Sequence, residues 1–202
     1  MSIAACAGIA LGAFLIGSIP FGLIIGHAFY RTDIRKAGSG NIGAMNALRT
    51  LGKGGAAAVL LLDAAKGAVP ALVVMQCLRD PHVAAVVAAL AVVGHCFTPW
   101  LRFKGGKGVA TAFGATFALA WPAGIACIAG WLAGAAATTY SSVGSMLGSL
   151  IAPFALWYFT RDPWMAGFGA FAALLVLYTH RENIRRIRQG RENGITFLRR
   201  RV

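Results

Sequence analysis

The chain has 202 residues, 58% of them hydrophobic and only 12% charged, with a formal net charge of +13. A soluble domain carries roughly 25% charged residues, so this composition and a mean hydropathy of +0.69 exclude an ordinary soluble protein. They predict an all-α, polytopic integral membrane bundle, in which the positions of the charges decide what the basic excess means.

The first weakly charged stretch, Ile3–Tyr30, lacks a basic leader and is too long for the apolar core of a signal peptide, so it is expected to remain as a span. A basic loop follows over 31–53. Its run Arg35-Lys36-Ala37-Gly38-Ser39-Gly40-Asn41-Ile42-Gly43-Ala44-Met45-Asn46-Ala47-Leu48-Arg49 combines turn residues with hydroxyl and amide groups. That chemistry suits a polyol phosphate, with Arg49 as a two-pronged phosphate clamp. An ordinary turn capping the next helix accounts for Ser39-Gly40-Asn41 equally well. The span Ala56–Leu78 comes next. Lys53 and Lys66 extend the cationic surface inward, but Asp63 and Lys66 lie three apart, and an ion pair inside the bundle is at least as good a reading.

After the turn Arg79-Asp80-Pro81 and the span His82–Trp100, the chain reads His95-Cys96-Phe97-Thr98-Pro99-Trp100-Leu101-Arg102-Phe103-Lys104-Gly105-Gly106-Lys107-Gly108-Val109-Ala110-Thr111. Glycines 105, 106 and 108 free the backbone to approach a ligand, so that consecutive N–H groups are expected to face one anion, with Lys104 and Lys107 beside them. Val109–Ala120 continues as a short helix whose N-terminus adds partial positive charge at the same place. A nucleotide loop of the Walker type is excluded: Lys107 is followed by Gly108, and Leu101 stands where the first glycine belongs.

Three further apolar stretches, Pro122–Thr139, Val143–Thr160 and Trp164–Thr179, bring the expected segments to seven, or five to six if the glycine-rich middle is re-entrant. Between the first two of these, Thr138-Thr139-Tyr140-Ser141-Ser142-Val143-Gly144-Ser145 supplies hydroxyls that serve either a site or helix ends. The last span runs into His180-Arg181-Glu182-Asn183-Ile184-Arg185-Arg186-Ile187-Arg188-Gln189-Gly190-Arg191-Glu192-Asn193. As a helix this places His180, Asn183, Ile184 and Ile187 on one face, toward the protein, and Arg181, Arg185 and Arg188 on another, toward lipid phosphates. By themselves, His180 and His95 read more readily as interface residues than as catalysts.

On a seven-span topology, seventeen of the nineteen Lys and Arg fall on one side, and the two exceptions, Arg79 and Arg161, each precede an Asp-Pro pair. The positive-inside rule then puts the loops around 31–53, 98–108 and 138–142 and the arginine-rich tail in the cytoplasm, with the N-terminus outside. Such a tail marks contact with anionic lipids, and nucleic acid is not implied. The four cysteines, Cys6, Cys77, Cys96 and Cys127, have no metal or disulfide spacing and read as small core residues. No metal constellation, cofactor or obligatory protein partner is indicated. One membrane domain over 1–202 is the economical expectation.

The segments SGNIGAMNALR, GHCFTPWLRFKGGKGVAT and HRENIRRIRQGREN, in that order and spacing, resemble the bacterial membrane glycerol-3-phosphate acyltransferases that take acyl phosphate as donor. The resemblance implies transfer of a fatty acyl group to the sn-1 hydroxyl of glycerol 3-phosphate at the inner leaflet of the cytoplasmic membrane, giving lysophosphatidate and phosphate. It implies roles for Ser39, Asn41, Asn46 and Arg49 at the glycerol phosphate, and for Lys107, Gly105, Gly106 and Gly108 at the donor phosphate, with His95 and Thr111 nearby. His180, Asn183 and Glu192 would come from the third segment, and Ser142 or Ser145 from the serine segment.

The residues are consistent with that chemistry. An acyl phosphate is already activated, so the protein has to orient a hydroxyl, stabilise an oxyanion and hold two phosphates in one cationic site. No carboxylate stands in sequence to orient His180, which favours a substrate phosphate as base. The acyl-CoA enzymes carry His, four residues, Asp, and none of His27, His82, His95 or His180 has an Asp five positions on. A transporter or flippase for a phosphorylated solute is the competing class, but it would need polar groups along a path to both faces.

Overall fold

The structure, a computed structural model, describes residues 2–195. Among them every regular element is helical: α1 (Ile3–Ser18), α2 (Phe21–Tyr30), α3 (Ala44–Thr50), α4 (Gly52–Cys77), α5 (Pro81–Cys96), α6 (Val109–Leu119), α7 (Trp121–Thr138), α8 (Ser141–Thr160), α9 (Pro163–Thr179) and α10 (Arg181–Arg188). Four helices are long and apolar enough to cross a membrane, and up to six spans result if each bent pair, α1 with α2 and α9 with α10, counts as one. That is fewer than the seven expected, because α6 has only 11 residues. The end of the arginine-rich tail, 196–202, lies outside the described residues.

Local sequence sets the boundaries. Ile3–Tyr30, expected as one span, is bent by 43° where Pro20 interrupts the helical hydrogen bonds. The Ile19 carbonyl at the break accepts from the Phe21 N–H at 3.1 Å and from Lys66 Nζ at 2.8 Å. Both Arg-Asp-Pro turns share one construction. Arg79 and Arg161 turn the chain in the left-handed region, Asp80 and Asp162 cap the N-termini of α5 and α9 with their side chains, and the proline takes the first helical position.

Helices meet through small residues, as they do where lipid removes the hydrophobic drive between them. A side-chain carbon at Gly17 would lie 2.2 Å from the Ala91 carbonyl oxygen, which fixes α1 against α5. One at Gly67 would lie 2.1 Å from the Thr111 carbonyl, and one at Gly114 2.2 Å from that of Ala64, so α6 lies directly on α4. The buried core of α4, α5, α6, α8 and α9 is largely Ala and Val, while Phe154, Leu174, Leu61 and Trp121 are among the large apolar residues on the outside. Cys96 and Cys127 are buried as expected, but Cys6 and Cys77 are exposed, on the outer surfaces of their helices.

Candidate active site

The first loop is built around Asn46. This residue, 2% exposed, accepts from the Ser39 N–H at 2.7 Å and donates to the carbonyls of Ile34 (2.7 Å) and Ala37 (3.2 Å). Its amide is therefore committed to shaping the loop that presents exposed Ser39, and Asn41 folds its own turn by accepting from Gly43 N–H at 2.9 Å. Arg49, exposed at the end of α3, reaches the Asn193 carbonyl at 3.4 Å and so joins the first loop to the C-terminal segment.

The glycine loop differs from a cradle of consecutive amides. The N–H groups of Gly105 and Gly106 donate to the carbonyls of Cys96 and His95, both at 3.0 Å, so they pin the loop to the end of α5. Gly108 then turns at φ 84°, where a side chain would be strained, and opens α6. The first bond from the body of that helix runs from Ala112 N–H to the Gly108 carbonyl, which leaves the N–H groups of Lys107 to Thr111 without an acceptor among the described residues. The amides left unpaired are thus those of the helix N-terminus, and glycines 105 and 106 pin the loop that leads into it. Thr111 is fully buried in that first turn with its hydroxyl unpartnered among the described residues.

Lys107 itself is fixed at both ends. Its carbonyl accepts from Thr179 Oγ1 at 3.0 Å, and its ammonium donates to Asn183 Oδ1. Asn183 Nδ2 donates to Glu192 Oε1 at 2.6 Å, Ser142 Oγ donates to that same oxygen at 2.9 Å, and Arg186 Nε donates to Oε2 at 2.8 Å. One buried carboxylate therefore gathers Asn183, Ser142 and Arg186 behind Lys107. Burial opposes ionisation of Glu192, but these three donors outweigh it and hold the carboxyl below its usual pKa. Lys107 is pushed down to about 8, first by burial and then by the Arg186 and Arg49 charges, partly offset by Glu192.

His180 caps α9 at the border with α10, whose charged sequence keeps it at the surface. Its Nδ1 lies 2.8 Å from the Val176 carbonyl, an acceptor only, so Nδ1 carries the proton and Nε2 the lone pair. Burial, with Lys107 nearby, lowers its pKa to about 4. The expected two-faced helix is present: His180 and Asn183 are buried, and Arg181, Arg185 and Arg188 are exposed.

Ser39, Asn41 and Arg49, Lys107 with the α6 N-terminus, Ser142, His180, Asn183 and Glu192 thus come from the segments that sequence singled out. Ser145 donates to the Ser141 carbonyl at 2.9 Å within its own helix. Lys66 is buried, 2.7 Å from Asp63 Oδ1 and bonded to Ile19, and His95 Nδ1 stands 3.6 Å from the same Asp63 oxygen. These two sit behind the loop, outside the hydrogen-bonded Lys107 network. Lys53 and Lys104 are exposed, without side-chain hydrogen bonds among the described residues. Arg186 and Thr179 were missed. Arg186 stands three after Asn183, a spacing that puts both on one helix face, whereas nothing in sequence tied Thr179 to a backbone 72 positions earlier.

An apolar helix bundle that gathers Lys107, Arg49 and Arg186 near Glu192, beside the unpaired amides at the start of α6, has the make-up of a membrane enzyme or carrier for phosphorylated substrates. The family model for glycerol-3-phosphate acyltransferase matches residues 7–190. A glycerol-3-phosphate acyltransferase of Bradyrhizobium diazoefficiens is 46% identical over 182 residues, 90% of this chain and 91% of that protein, and one of Ruegeria pomeroyi is 49% identical over 182 residues, 89% and 88%. The crystal structure of PlsY (YgiH), an integral membrane glycerol 3-phosphate acyltransferase in its glycerol 3-phosphate form, superposes with a TM-score of 0.89 at 34% identity, covering 95% of this chain and 96% of that one. The chain belongs to the glycerol-3-phosphate acyltransferase family and is an integral membrane acyltransferase.

Proposed function

We propose that the chain transfers a fatty acyl group from acyl phosphate to the sn-1 hydroxyl of glycerol 3-phosphate, the first acylation of phospholipid synthesis. The observation that carries this reading is the convergence of Lys107, Arg49 and Arg186 around Glu192 beside the α6 N-terminus. Arg186 bonded to Glu192, Lys107 linked to it through Asn183, and Arg49 nearby set three cations against one carboxylate, which leaves net positive charge for two phosphate groups. In this scheme Lys107 and the free amides of α6 bind the acyl phosphate, and Ser39 and Arg49 bind the glycerol phosphate. The hydroxyl attacks the acyl carbonyl, the C–O bond to phosphate breaks, and the hydroxyl proton passes to a phosphate oxygen of the substrates. Neutral His180, with its Nδ1 proton committed to a backbone carbonyl and no carboxylate behind it, orients the hydroxyl through Nε2.

The topology proposed with it has seven crossings, α6 being a short one, with the N-terminus outside and the site at the cytoplasmic face of the inner membrane. Polar side chains at the far end argue against a transport path: Asp80 and Asp162 are spent on helix caps. The test is purified protein in lipid with glycerol 3-phosphate and palmitoyl phosphate, compared with palmitoyl-CoA. Phosphate and lysophosphatidate released from the acyl phosphate alone are expected. No product from either donor, with glycerol 3-phosphate still bound, would turn the reading to a transporter.

A further inference from the structure

Behind the glycine loop lies a buried chain of polar groups that the proposed reaction does not use. Lys66 and Asp63 on α4 and His95 on α5 are 3%, 2% and 4% exposed. The Lys66 ammonium binds the Ile19 carbonyl at the break between α1 and α2, and lies 2.7 Å from Asp63 Oδ1. That oxygen has no well-aligned donor, and the nearby His95 Nδ1, at 3.6 Å, has no other partner among the described residues. On its other edge the imidazole fills the space a side chain would take at Gly106: a carbon there would sit 2.0 Å from Nε2. The His95 carbonyl meanwhile holds the Gly106 N–H. The ring is therefore wedged between a buried carboxylate and the backbone that delivers Lys107.

We propose that Asp63 is a positioning residue for the donor phosphate, holding the His95 ring against Gly106 and so setting where the loop presents Lys107 and the α6 N-terminus. A buried ion pair is a weak source of stability, since an apolar pair of similar volume commonly replaces it without loss. A carboxylate kept at this depth is better explained by the geometry it imposes on its second neighbour. The proposal rests on the reading that acyl phosphate binds at Lys107.

The test compares wild type with the double variant Asp63→Asn, Lys66→Met, which removes the pair together and strands no buried charge. Expected is a thermal midpoint close to wild type and a KM for palmitoyl phosphate raised by roughly 10- to 100-fold, as for a displaced binding group, with KM for glycerol 3-phosphate unchanged within about twofold. An unchanged KM for palmitoyl phosphate, or equal rises in both KM values, would overturn the proposal. Should the double variant not fold, imidazole nitrogen NMR of the wild-type protein decides: a proton on Nδ1 of His95, facing Asp63, supports it, and one on Nε2 sinks it. A wild type that transfers nothing from palmitoyl phosphate refutes the function itself, an outcome separate from all of these.

Discussion

Lys107 and Asn183 are hydrogen-bonded side chain to side chain across 76 residues of sequence, and through Asn183 the ammonium is tied to Glu192. The arrangement holds the ammonium of Lys107, which stands two residues before α6 begins, on Asn183, while the nearby Arg49 and Arg186 charges oppose its neutralisation by the carboxylate. Lys107→Ala is expected to lower kcat/KM for acyl phosphate by about 10²- to 10³-fold, the range for losing one preorganised charge-stabilising donor. Because Asn183 acts through the same ammonium, Lys107→Ala with Asn183→Ala should lose far less than the product of the single losses. Multiplying effects in a steady-state double-mutant cycle would show that the two act separately.

The depressed pKa of Lys107 gives activity and stability opposite slopes at alkaline pH. With a value of about 8 in the folded protein against an ordinary 10.5, the free enzyme loses this cation as pH rises through 8, so kcat/KM for acyl phosphate should fall there. The penalty for burying the cation is complete below pH 8 and is relieved between 8 and 10.5, because in that window only the unfolded chain still holds the proton. Thermal midpoints of wild type minus Lys107→Met should therefore rise across that window while activity declines. The variant Lys107→Arg, whose guanidinium does not deprotonate, should flatten the alkaline limb in whatever activity remains.

His180 is expected to act at the other end of the scale. Its folded value of about 4 lies below the ordinary 6.5, so its contribution to stability is complete above pH 6.5 and is lost as pH falls toward 4. The midpoint difference between wild type and His180→Gln should shrink over that range. If the ring only orients the hydroxyl, His180→Gln should lower kcat by less than about 10-fold, against the roughly 10²- to 10⁴-fold of a lost general base. A larger loss, with an acidic limb near pH 4 in kcat/KM, would make His180 the base.

Much of this was legible in the sequence because membrane proteins separate their signals. Apolar runs mark helices, and polar residues within them are rare enough that each one counts, so the apolar helices lie within a few residues of the stretches expected, whereas the short α3 falls inside the loop expected over 31–53. The break at Ile19 and Pro20 is hidden in sequence because apolar residues flank it on both sides, and the Lys66 bond to the Ile19 carbonyl helps to satisfy the backbone there. In sequence the glycine loop looks like a cradle because composition reports backbone freedom and not its use: the amides of Gly105 and Gly106 turn toward α5. Asp63 and His95 illustrate the same limit, since the i,i+3 pairing with Lys66 is visible in sequence and the packing of α4 against α5 is not.

Packing also separates two serines that sequence could not. Ser142 donates to Glu192 Oε1, whereas the Ser145 hydroxyl, one turn on, donates to the Ser141 carbonyl. A hydrogen bond to a charged acceptor contributes roughly 1.5–3 kcal/mol, and Glu192 also orients Asn183 and Arg186, so the loss of Ser142 is felt at Lys107. Ser142→Ala should therefore lower kcat/KM about 10-fold or more, given roughly 1.4 kcal/mol per decade. Ser145→Ala removes a bond that its helix does not need, and activity is expected within about threefold of wild type, as for a group uncoupled from the site. Glu192→Gln supplies the control: it keeps the shape but weakens all three contacts, so adding Ser142→Ala to it should have little further effect. If Ser145→Ala proved the more damaging change, the serine that serves the site would be the one a turn deeper, and the Glu192 network would be a scaffold only.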